Sequence, residues 1–102
     1  MQKEIKLTSR AESDLEKAEE FYTELYGLEK TEEIILSLFE KIRLLKNPNY
    51  EKIGSPDSTF SHLQRTYYKI IHHHFKITYR IGKHTIYIVR VFDTRQNPFK
   101  NL

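Results

Sequence analysis

Hydrophobic positions change period twice along the chain. From Glu4 to Thr8, Ile5 and Leu7 alternate with charged residues, the two-residue period of a short half-buried strand. The period then lengthens. Ala11, Leu15, Ala18, Tyr22 and Leu25 recur at steps of four, three, four and three, which predicts an amphipathic helix with an acidic outer face. Ser9-Arg10-Ala11-Glu12 reads as a capping box with Ser9 as N-cap, and Gly27 is placed to end the helix in a left-handed cap. Thr31 followed by Glu32 and Glu33 predicts the start of a second helix, with acids at its positive end. Its apolar stripe is Ile34, Ile35, Leu38, Phe39, Ile42 and Leu45, and Asn47-Pro48 stops it.

The second half returns to period two. Residues 47–61 hold Pro48, Gly54 and Pro56 without periodicity and read as an irregular connection. A strand is expected from His62 to Ile71, with Leu63, Arg65 and Tyr67 on one face and Tyr68 and Ile70 on the other. His72-His73-His74 makes a polar turn. Phe75, Ile77, Tyr79 and Ile81 then alternate with Lys76, Thr78 and Arg80, so one face is apolar and the other cationic. Gly82 and Lys83 supply a second turn, and Ile86-Tyr87-Ile88-Val89 is apolar on both faces, as a central strand would be. The expected order is β-α-α-β-β-β. This is an α+β fold, one domain over residues 1–102, with the N-terminal strand and a helical hairpin packed on a mostly antiparallel, twisted sheet.

Charge changes the picture. Residues 1–60 carry nine Lys and Arg against thirteen Asp and Glu, a net of −4, whereas residues 61–102 carry eight against Asp93 alone, a net of +7. All five histidines also lie in the second part. An acidic scaffold that presents a basic surface suits a polyanion or an acidic protein as partner. Cysteine is absent, which excludes thiolate chemistry and disulfides. The charged start and the lack of any long apolar run make a cytoplasmic protein with no membrane partner the expectation.

Candidate chemistry is narrow. His72 and His74 would share a strand face, but two imidazoles are too few for a closed metal site, so neither a metal nor another cofactor is expected. Ser55, Ser58 and Ser61 lie in an irregular stretch without a nucleophile motif. The basic residues are more promising. Lys69, Lys76 and Arg95 come from three consecutive segments that a sheet end can bring together, and such cations grip phosphates and stabilise charge on a transferring phosphoryl group. Arg65, Arg80 and Arg90 are candidate contacts to a partner or nucleic acid, alongside Tyr67, Tyr68, Tyr79 and Phe75 as stacking surfaces. The alternative is that Arg90 and Arg95 pair with Asp93 and serve the sheet end only.

In order and spacing, these elements resemble the RelE/ParE superfamily of toxins from type II toxin–antitoxin modules. Ile5-Lys6-Leu7-Thr8 followed by Ala11-Glu12-Ser13-Asp14-Leu15 is similar to that family's strand and "Ala-x-x-Asp-Leu" start. Phe21-Tyr22, Tyr26-Gly27 and Leu45-Lys46-Asn47-Pro48 continue the likeness. Phe75 to Ile81 stands in the place of the "Tyr-Arg-x-x-Tyr-x-Ile" strand, and Val91-Phe92-Asp93-Thr94-Arg95 where many members have "Val-x-His-x-Arg". The resemblance implies a growth-inhibiting plasmid-stabilisation toxin, neutralised by a cognate antitoxin. It implies one of two targets, DNA gyrase or ribosome-bound mRNA. In the second case Lys76 and Arg95 would hold the scissile phosphate and Lys69 would help activate the 2′-hydroxyl, without a metal. Lys76 stands for an arginine, Asp93 for a histidine, and the last residues lack the tyrosine several nucleases use. With the long helical hairpin, these departures favour the ParE-like, gyrase-directed branch. The alternatives are a RelE-like endoribonuclease and a degenerate member that binds antitoxin without toxicity.

Overall fold

The computed structural model describes residues 3–47, 54–56 and 66–95. Two helices cover one face of a five-stranded mixed sheet. Strand β1 (Glu4–Leu7) leads into helix α1 (Ser9–Tyr26) and helix α2 (Leu28–Arg43), which tightens into a 3₁₀ turn over Leu44–Lys46. Strands β2 (Ser55–Pro56), β3 (Tyr68–His72), β4 (Phe75–Ile81) and β5 (Thr85–Asp93) follow. The sheet order is β1-β5-β4-β3-β2, with β1 parallel to β5 and all other neighbours antiparallel. The expected order of elements is observed, with one addition; the strand expected from His62 begins at Tyr68, and residues 62–65 lie outside the described residues. The two-residue β2 lies inside the stretch expected to be irregular, pairing Ser55 with Lys69 and Pro56 with Tyr68.

Both helix starts are displaced from the sequence expectation. Thr8, not Ser9, caps α1: its Oγ1 accepts from the Ala11 N–H at 3.2 Å. Its hydroxyl also donates toward the Ile88 and Val89 carbonyls, both at 3.1 Å. One threonine thus closes the strand, starts the helix and ties both to β5, which Ser9, a residue further on, is not placed to do. Gly27 is the whole connection between the helices, ending α1 and starting α2 with φ 87° and ψ 169°. That positive φ is accessible mainly to glycine, although its ψ lies outside the left-handed helical cap expected. Thr31 is consequently inside α2, where its hydroxyl donates to the Gly27 carbonyl at 2.8 Å. Asn47 turns extended (ψ 124°), as the residue before Pro48 must.

The core follows the helical stripes. Ala11, Leu15, Ala18 and Tyr22 of α1 meet Ile35, Leu38 and Ile42 of α2 over Phe75, Ile77, Tyr79, Ile86, Ile88 and Val91 of the sheet. Leu25, expected in the stripe, is instead half exposed at 52 %. The register is continuous along β4 until a bulge in β5. Thr78 pairs with Arg90 while Tyr79 pairs with Ile88, which leaves Val89 as the extra residue. The bulge falls where β1 ends and α1 begins.

Beyond Ile88 the β1 side of β5 has no strand beside it among the described residues, and a side chain from α1 takes over. Asp14 Oδ2 accepts from the Val91 N–H at 2.9 Å and from Arg90 Nε at 2.8 Å, while Oδ1 accepts from Arg90 Nη2 at 3.2 Å. A carboxylate that accepts a strand N–H and a forked guanidinium together is an edge cap for the sheet.

Candidate functional site

The sheet separates the sequence-derived candidates into two groups. Cross-strand partners point to the same side, so Lys69 opposite Thr78 and Lys76 opposite Ile71 and Phe92 share one face. On β4 they alternate with the core residues Phe75, Ile77 and Tyr79, so this is the face away from the helices. Arg80 lies on the same face, its guanidinium carbon 3.9 Å from the centre of the Tyr87 ring. The face is cationic, as the alternation indicates, but its middle is closed: Lys76, Thr78 and Phe92 are buried. Ile71 stands exposed beside them.

Arg95 belongs elsewhere. It follows β5 on the helix side, where its Nη2 donates to Tyr26 Oη at 3.0 Å and its guanidinium carbon sits 5.9 Å from the Tyr22 ring centre. Arg95 therefore does not join Lys69 and Lys76 in one constellation. Arg90 is bound by Asp14 rather than Asp93, and Arg65 lies outside the described residues.

What gathers around Arg95 is a junction of three segments: the C-terminal turn of α1, the β3–β4 turn and the end of β5. The β3–β4 turn is His73-His74, with His73 at φ 56°, a left-handed value uncommon for a residue with a side chain. Thr94 clamps it, since both its N–H and its hydroxyl donate to the His74 carbonyl, at 3.0 and 2.8 Å. Tyr22 Oη and His74 Nε2 share a hydrogen bond. Asp93 Oδ1 accepts from the Arg95 N–H at 2.9 Å and lies 3.9 Å from His74 Nε2. The other carboxylate oxygen of Asp93 is buried without a hydrogen-bond partner among the described residues.

Electrostatics in the junction keep the imidazole neutral. Burial lowers the His74 pKa from its ordinary value; Asp93 pulls the other way, and Arg95 and His73 add to the lowering. Burial, then interaction with the Asp93 carboxylate, raises Tyr22 so that its phenol stays protonated. His72 is lowered as well, by burial first and then by His73, Lys41 and His74. Its Nε2 shares a 3.1 Å hydrogen bond with Ser37 Oγ, which also lies 2.9 Å from the Ile34 carbonyl. His72 and His74 are thus engaged by different helices. Among the described residues, no three His, Asp or Glu side chains are grouped to hold a metal ion.

The junction borders an open cleft of about 400 Å³ between α2 and the β3–β4 turn. Ile34, Phe75 and Tyr26 line it, with His73, His74 and Arg95 on one side and the Lys30–Glu33 ion pair on the other. A second groove, about 370 Å³, runs between α1 and α2. There Leu28, Ile35, Leu36 and Phe39 are flanked by Glu19 and Glu32. The cluster of Tyr22, Tyr26 and His74 around Arg95 was not read from the sequence. The only signal for it was the recurrence of aromatic residues at the end of the first helical stripe.

A helical hairpin laid on a mixed sheet, with a cationic far face and an arginine just past the last strand, defines a class of small α+β proteins. Among solved structures, the chain matches one from "Chromosomal ParDE TA system from P. aeruginosa" with a TM-score of 0.77 at 20% identity. The match covers 90% of this chain and 96% of that one. At that identity the likeness concerns the fold. No curated protein matches the sequence. The family model described as "ParE toxin of type II toxin-antitoxin system, parDE" matches residues 5–98, and the chain belongs to that family. Among the described residues, no helix is long and apolar enough to cross a membrane.

Proposed function

We propose that this chain is the toxin of a type II module, held inactive in the cytoplasm by a cognate antitoxin, and that it inhibits DNA gyrase by binding. The family assignment supports the toxin reading. The observation that favours binding over cleavage is the separation of Arg95 from Lys69 and Lys76. Arg95 turns to the helix side against Tyr26, while the two lysines lie on the far face. A metal-independent endoribonuclease must bring its cations onto one scissile phosphate, within a few ångströms of where charge develops. On this reading the far face, with Lys69 and Arg80, and the Arg95 end are two separate contact surfaces.

The test compares purified protein on two substrates. Gyrase-catalysed supercoiling should fall with added protein, and ribosome-bound message should stay intact at the same concentration. Cleaved message with unimpaired supercoiling would overturn the gyrase reading in favour of the nuclease. Neither effect, together with normal growth on induction, would identify a member that binds antitoxin without toxicity.

A further inference from the structure

We infer that Asp93, His74 and Tyr22 form a positioning unit for Arg95, and that its setting depends on whether the imidazole carries a proton. Two observations carry this. The backbone of Arg95 is fixed by Asp93 Oδ1, and that same oxygen is 3.9 Å from His74 Nε2. The second oxygen of Asp93 is buried and has no hydrogen-bond partner among the described residues, and the Tyr22 phenol is raised by burial and then by this carboxylate. The carboxylate is thus shared between an N–H that it binds and an imidazole that it nearly reaches.

With His74 neutral, Tyr22 occupies Nε2, and Asp93 is free to close the turn at Arg95. The guanidinium then lies against the Tyr22 ring and donates to Tyr26. A proton on His74 changes each contact. The imidazolium attracts the carboxylate and supplies a donor for an oxygen that now lacks one. It also repels the guanidinium of Arg95. The Arg95 N–H loses its acceptor, and the side chain loses the position that its partners define. Other groups bear on the imidazole from every side. These are Tyr22 and Tyr26 on α1, Lys30 and Glu33 of α2 across the cleft, Lys41 near His72, His72 and His73 beside it, and Asp93 and Arg95. Among the described residues, Asp93 is the carboxylate within ion-pairing reach, which directs the imidazolium to it. The Asp93 carboxylate is buried and turned to the junction, where it orders the arginine.

The device does not depend on the proposed target, and only its consequence for binding rests on the toxin reading. Its test therefore uses the free, full-length protein. Amide and side-chain resonances of Arg95, and ring resonances of His74, are followed by nuclear magnetic resonance from pH 8 to 5. The Arg95 signals should titrate with the His74 midpoint, and its amide exchange, corrected for pH, should accelerate about tenfold in acid, the factor that one ordinary hydrogen bond supplies. His74→Gln keeps a partner for Tyr22 and should abolish the Arg95 titration, whereas His73→Gln should leave it. Asp93→Asn should lower the His74 midpoint. An Arg95 signal indifferent to the His74 midpoint in the wild-type protein would overturn the inference without any variant. A titration that survives His74→Gln would overturn it as well.

Discussion

The last strand ends in two arginines that are treated oppositely. Arg90 lies under α1, half-buried, with both sides of its fork and the neighbouring Val91 N–H given to Asp14. Arg95, five residues on, is exposed and is held by neutral groups, the Tyr26 hydroxyl and the face of Tyr22. The charge of Arg90 is cancelled inside the fold, so it serves the architecture. The charge of Arg95 is fixed in direction but not cancelled, so it stays available to an outside partner. A count of basic residues treats the two alike. Their partners distinguish them.

The sharpest way to break this comparison is to remove the internal acid. Asp14→Ala leaves a partly buried guanidinium and a strand N–H without partners, and should cost about 3 kcal/mol of stability in urea unfolding. A loss under 1 kcal/mol would mean that Arg90 is solvated and resembles Arg95 after all. Next in size, Arg95→Ala should leave the unfolding midpoint nearly unchanged while weakening antitoxin binding about tenfold, as the loss of an exposed interfacial charge does. Added salt should weaken wild-type binding more than the variant's, because screening acts on exposed charges. Salt-independent affinity would instead favour apolar docking in the groove between α1 and α2.

The smallest expected effect is on pH. His72 and His74 are held below the ordinary histidine value in the folded chain. Above about pH 6.5 they are neutral in both states and contribute nothing to the pH dependence. As pH falls through that value, the unfolded chain takes up protons that the folded one resists, so stability declines with acid. Unfolding midpoints between pH 7.5 and 5 check this, and the decline should shrink in a His72→Gln, His74→Gln double variant. A midpoint that rises toward pH 5 would contradict it.

Much of the fold was legible because burial imposes a period. The stripes of α1 and α2 and the alternation on β4 are direct records of which side faces the core. Boundaries were less legible because they depend on long-range partners. Thr8 outcompetes Ser9 as the cap because β5 carbonyls lie beside it, and no local pattern contains that information. A one-residue connection at Gly27 was missed because Leu28-Glu29-Lys30 carries no capping signal of its own. The candidate site was least legible. Alternation placed Lys69 and Lys76 on a face, but the direction of the chain after β5 is set by Thr94 on the His74 carbonyl and Asp93 on the Arg95 N–H. Those contacts separate Arg95 from the lysines. Asp14 shows the reverse: its place in a recognised motif was clear, and its use as an edge cap needed the geometry.

The single-residue turn at Gly27 has a stereochemical consequence. Its backbone takes a positive φ, yet a side-chain carbon built there meets no atom within 4 Å. The objection to any other natural residue is therefore one of handedness and not of room. A D-amino acid reverses that objection. D-alanine, introduced by chemical ligation, would carry its β-carbon on the opposite side of the backbone and match the φ of the turn; with room on that side, restricting the unfolded chain is a gain of about 0.4–1 kcal/mol. At this hinge between its two helices, the chain is folded around the mirror image of the residues it is made from.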